Sequence, residues 1–120
     1  MTLSAAQADA FYSEALREGS VWGIKDAAGF PAPEGSGSTR AMPFWSLRSR
    51  AERIIETVPA YGGFEPEAIP LDTWRSRWLP GLAQDGVLVG LNWSGSRAIG
   101  YELEPSAVEQ NLSARESGRT

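Results

Sequence analysis

Two pairs of carboxylates are the residues best placed by spacing to do chemistry. Glu65 with Glu67, and Glu102 with Glu104, stand two apart in runs that read as strands. Period-two alternation turns both side chains of a pair to one face, where their oxygens could take a hard divalent cation, with Tyr61 or Tyr101 beside them. Acids on edge strands also discourage pairing with other chains, so the same spacing serves folding alone, and joint chemistry requires the two pairs to converge. The second group is basic. Arg48, Arg50 and Arg53 cluster, with Arg40 upstream and Arg75 and Arg77 further on, and guanidinium groups suit a phosphate, a carboxylate or an acidic surface. Trp45 and Trp74 lie at element boundaries and could anchor a ligand, whereas Trp22, Trp78 and Trp93 sit among apolar neighbours and read as core. Glu52 and Glu56 interleave with the arginines, so pairing along one helix competes with ligand binding. Single-stranded nucleic acid would need aromatic rings stacked beside those arginines.

What is missing narrows the chemistry further. The chain has no histidine and no cysteine, which excludes Ser-His-Asp triads, thiolate nucleophiles, disulfides and ordinary zinc sites. A single lysine, Lys25, remains besides the carboxylates, tyrosines and arginines. The run Gly35-Ser36-Gly37-Ser38 precedes no Gly-Lys-Ser/Thr and no immediate helix, so it reads as a hairpin tip rather than a phosphate cradle. Asn92-Trp93-Ser94-Gly95-Ser96 lacks the Gly-x-Ser-x-Gly elbow. Fifteen acids against eleven bases give a net charge of −4, which disfavours nucleic acid and favours a basic protein partner. No cofactor is expected.

The elements that must position these residues fit one α+β domain over residues 1–112, followed by a flexible C-terminal tail over 113–120. The predicted order is α-β-β-β-α-β-α-β-β-α, with a mainly antiparallel or mixed sheet of about five to six strands and three to four helices. Ser4 and Gln7 have capping-box spacing before the stripe Ala8, Phe11, Tyr12, Ala15, Leu16, and Gly19 ends that helix. Ser20–Ile24 and a piece from Phe30 make a hairpin around Asp26–Gly29, with Pro31 and Pro33 confining the second piece to an edge or a loop. The run from Thr39 to Trp45 reads as a short third strand ending at Pro43. Ser46 caps a helix carrying Leu47, Ala51, Ile54 and Ile55 and ending near Thr57; Glu65–Leu71 is an edge strand; Asp72 caps a helix that Pro80-Gly81 disrupts. Val87–Trp93, apolar on both faces, is the central strand, Ala98–Leu103 pairs with it, and Pro105 opens a last short helix. No apolar run reaches the roughly 18 residues of a membrane span and the start carries no export signal, so the expected location is the cytoplasm.

Ala10-Phe11-Tyr12, Val21-Trp22-Gly23-Ile24-Lys25-Asp26, Pro43-Phe44-Trp45-Ser46, and Trp78-Leu79-Pro80-Gly81-Leu82 running into Asp85-Gly86 and Val87 to Trp93 together resemble the bacterial family of small proteins catalogued as domain of unknown function 2750. The resemblance spans about residues 8 to 112; its blocks are packing and turn patterns, and it implies no activity and no functional residues. The Gly35–Ser38 stretch departs from the family's usual connection. The expected function is a non-enzymatic protein-binding module, for example an immunity- or antitoxin-like inhibitor of a basic partner, with Arg48, Arg50, Arg53, Trp45 and Trp74 as binding residues. The alternative is a small-ligand or divalent-metal site on Glu65, Glu67, Glu102 and Glu104.

Overall fold

The structure is a computed structural model describing residues 2–34 and 39–118. Helix α1, Leu3–Glu18, buries Ala8, Phe11, Tyr12 and Ala15 along one side. It starts two residues earlier than the Ser4 cap predicts: the Thr2 hydroxyl accepts the Ala5 N–H at 3.0 Å, which frees Gln7 for other work. Gly19, at φ 72°, closes the helix by donating its N–H to the Ala15 carbonyl, in a left-handed conformation glycine adopts without strain.

Five strands follow, β1 (Ser20–Lys25), β2 (Ala41–Phe44), β3 (Glu65–Pro70), β4 (Leu88–Ser94) and β5 (Ile99–Leu103). They are interleaved with α2 (Arg48–Thr57), α3 (a continuous helical segment, 71–84) and α4 (Pro105–Ser117). The α+β class is as the sequence predicts, but the strands divide into two sheets. β1 pairs antiparallel with β3, while β4 lies between a parallel β2 and an antiparallel β5. One bridge joins the sheets, Trp22 to Trp45, through two backbone hydrogen bonds of 2.7 Å. The extended piece after Phe30 builds no ladder. Pro31 and Pro33 have no N–H to give, and single bridges, Asp26 to Gly29 and Glu34 to Arg40, are what the described residues form there. The expected hairpin tip at Gly35–Ser38 lies outside the described residues.

Pro80 does not break α3. Its missing donor is absorbed by a widened turn over Trp74–Trp78, closed by the Leu79 N–H reaching back to the Trp74 carbonyl, and the helix continues through Gly81. α3 begins at Leu71 with no side-chain cap, and Asp72 accepts from the neighbouring Thr73 N–H instead. α4 starts at Pro105, as predicted, but runs on to Ser117, so residues 113–117 are helical rather than a tail. Arg115 reaches Asp9 and Ser13 on α1, and Ser113 bonds Glu109.

The core has two parts. One, including Phe11, Phe44, Trp74, Leu91, Val108 and Leu112, draws on α1, α3, α4 and the three-stranded sheet. The other gathers Ile24, Trp45, Ile54, Tyr61 and Trp93, with α2 packed against strands of both sheets. Trp45 and Trp74, the two tryptophans predicted as binding anchors, are completely buried, whereas Trp22 and Trp78 are half-buried. Large rings at boundaries are drawn inward here because the boundaries themselves lie in the interior. No helix among the described residues is long and apolar enough to cross a membrane.

Candidate functional site

A buried polar network joins the ends of β2 and β4 to α1 and α2. At its centre Asn92 interrupts β4: its backbone is left-handed, at φ 49°, where the β4–β5 register shifts between Leu91 and Ser94. An asparagine tolerates that conformation, and the bulge turns its amide inward. Oδ1 accepts the Ser46 N–H at 3.0 Å, while Nδ2 donates to the Ser46 hydroxyl at 2.9 Å and to the Gln7 carbonyl at 3.1 Å. Ser46 donates its hydroxyl to Glu14 at 2.6 Å. Arg50 then clamps Glu14 with Nε at 2.9 Å and Nη2 at 3.0 Å, and its Nη1 donates to the Gln7 side chain at 2.6 Å. Ser46 is therefore not a helix cap: α2 begins after Leu47 with no side-chain cap, and the hydroxyl is engaged across the core.

Burial pushes the Glu14 carboxyl up, but hydrogen bonds from Arg50 and Ser46, with the charges of Arg50 and Arg17, outweigh it and hold the group below its ordinary value. A serine hydroxyl against a carboxylate has the outline of a nucleophile and base. Ser46 is 0% exposed, however, and Asn92 1%, so no substrate atom reaches either, and a carboxylate held in its charged form is a weakened base. The network is a floor that fixes Arg50 and the turn after β4.

Above that floor opens a cleft of about 620 Å³, with Leu3 and Gln7 on one side, Leu47, Arg50, Arg53 and Thr57 on another, and Trp93 to Ser96 closing it. Trp93, 4% exposed, is fixed in place. Its ring lies flat over Gly90 and beside Gly100, where any side chain would collide with it; its Nε1 donates to the Tyr101 carbonyl at 3.1 Å, and its own carbonyl accepts from Trp45 at 2.9 Å.

The predicted binding residues separate. Arg50 and Arg53 line the cleft, and Trp45 contributes to its base. Arg48 turns away to pair with Glu52 at 3.1 Å and to lie 5.5 Å from the Trp22 ring centre. Trp74 packs between Phe11 and Phe44 in the other core cluster, and Arg75 is held by Glu109 and Glu116. The carboxylate pairs do not converge: β3 and β5 are the outermost strands of the two sheets, with β1, β2 and β4 between them. Glu67 instead pairs with Lys25 at 3.1 Å, and the Glu104 carbonyl accepts the first N–H bonds of α4. Among the described residues no group of three or more acidic side chains is gathered to hold a metal ion. Gln7, Glu14, Ser46 and Asn92 escape sequence reasoning, although one signal existed: Asn92 is the sole polar residue in the run from Val87 to Trp93.

Fold and site define a small α+β protein with two joined sheets and an arginine-lined cleft over a sealed polar floor. The family model described as protein of unknown function DUF2750 matches residues 8–112, and the chain belongs to that family. The matched span contains Glu14, Ser46, Arg50 and Asn92 of the network, with Gln7 one residue ahead of it, and the fold brings the Trp45-Ser46 and Asn92-Trp93 blocks into contact. No curated protein and no solved structure matches the chain.

Proposed function

We propose that this is a non-enzymatic protein-binding module of the bacterial cytoplasm, and that the partner docks in the cleft above Asn92. The observation that carries the reading is the sealed floor. Each side chain of the network is used in holding another, so the cleft is rigid and presents shape and charge rather than a reactive group. An immunity- or antitoxin-like role against a basic target rests on the net charge of −4 and would engage the acidic outer surface; the cleft is the better-built surface. The test compares tagged wild type with a cleft-filled variant, Thr57→Trp/Ser96→Trp, and with Arg77→Gln on α3 as a control, each exposed to lysate of the source cell. A protein retained in stoichiometric amount by wild type and control but lost from the filled variant supports the proposal. Retention of nothing, or equal retention by all three, refutes it.

A further inference from the structure

The cleft runs against the sign of the molecule. Acids outnumber bases in the chain, fifteen to eleven, yet the described residues lining the cleft include Arg50 and Arg53 and no Asp or Glu. A second hollow of about 400 Å³ shares Leu3 and the Ser94-Gly95-Ser96 turn with it and adds Arg97, again with no acid. Arg50 is neutralised by Glu14, whereas Arg53 and Arg97 form no salt bridge with any described residue; on its other side Arg97 borders a hollow that Glu34 and Glu102 also line. Apolar side chains border the second hollow. Leu3 and Ile99 are 68% and 61% exposed, and Tyr101, at 44%, follows Ile99 by two on β5 and so shares its face. These three are the large apolar side chains exposed among the described residues.

We infer that the joined hollows form a groove for an acidic segment of a partner protein, with carboxylates meeting Arg53 and Arg97 and an apolar side chain lying over Leu3 and Ile99. The inference rests on the docking reading above and names the chemistry of the docked segment. Unpaired guanidinium groups in an otherwise acidic protein attract carboxylates and repel basic competitors, and hydroxyls at Ser94 and Ser96 supply further donors. Placing the two cations in adjoining hollows that share Leu3 and the Ser94-Gly95-Ser96 turn suits an extended ligand with spaced charges better than one compact anion. A nucleic-acid strand fits less well, because Trp45 and Trp93 are buried and offer no face for a base.

The full chain is immobilised and panned with a phage-displayed library of random eight-residue peptides, alongside a thymidine oligonucleotide. Wild type enriches peptides with Asp or Glu flanking Leu, Ile or Phe. The enriched pool binds Arg53→Gln/Arg97→Gln at least about tenfold more weakly and Arg77→Gln unchanged, and raising salt weakens binding. No enrichment, enrichment without acids, undiminished binding by the double variant, or equal capture of the oligonucleotide overturns the inference. Acid-selective peptide binding without a cleft-dependent partner in lysate leaves this inference and removes the docking reading; a cleft-dependent partner with no acid preference does the reverse.

Discussion

Replacing Asn92 tests the site at its centre. Asn92→Ala removes both atoms that hold Ser46, and the Ser46 N–H, fully buried, loses its acceptor. An orphaned buried donor costs about 1–3 kcal/mol. Alanine must also keep the left-handed backbone at φ 49°, which adds about 1–2 kcal/mol. The sum, about 2–5 kcal/mol, is a large part of the roughly 5–15 kcal/mol that holds a domain folded. Asn92→Gly removes the same hydrogen bonds but takes the backbone conformation freely, so it comes out about 1 kcal/mol more stable than Asn92→Ala despite glycine's more flexible unfolded chain. Urea titrations followed by tryptophan fluorescence give both values, with an unchanged m-value showing that the unfolded states are comparable. If Asn92→Ala stays within about 1 kcal/mol of wild type, or glycine is the more damaging substitution, then neither the buried bonds nor the backbone conformation matters as argued.

Two further outcomes follow from neighbouring residues. Gly90→Ala forces a methyl group into the Trp93 indole, so it destabilises by about 1–3 kcal/mol and changes the near-ultraviolet circular dichroism of the tryptophans; an unaltered spectrum with wild-type stability refutes the close stacking. Glu14 is held below its ordinary value of 4.5 in the folded protein, so its contribution is fully present above that value and disappears as pH falls through the folded one. The stability gap between wild type and Glu14→Gln, measured by urea midpoints from neutral to acid pH, therefore narrows below 4.5; Glu109, lowered by the hydrogen bond from Arg75, leaves a residual acid sensitivity in the variant. A gap independent of pH removes the charged clamp.

What the sequence shows depends on how far each residue's partner lies along the chain. Gly19, Asp85-Gly86 and Pro105 mark element ends through their own backbones, and the run around β4 announces a central strand by its composition; all four are legible. Ser4 with Gln7, and Ser46 ahead of α2, have the local pattern of helix caps, but tertiary partners override it: Gln7 serves Arg50, and Ser46 serves Glu14 and Asn92. The arginine cluster is visible as a cluster, yet which arginine faces the cleft depends on Glu14 and Glu52, and neighbouring helix positions point in different directions. Pro80 reads as a breaker because sequence patterns do not reveal a widened turn that accommodates it.

The floor of the cleft also sets an order in time. Asn92 reaches Gln7 across 85 residues and Ser46 across 46, and the parallel pairing of β2 with β4 closes a similarly long loop. As the chain emerges during synthesis, α1, β1, β2 and α2 are out while Trp45 and Ser46 still lack their cover. The cleft comes into being when β4 arrives, late in folding, because distant contacts are slow to form. A partner that recognises it meets finished molecules, and a chain halted before residue 92 is invisible to that partner.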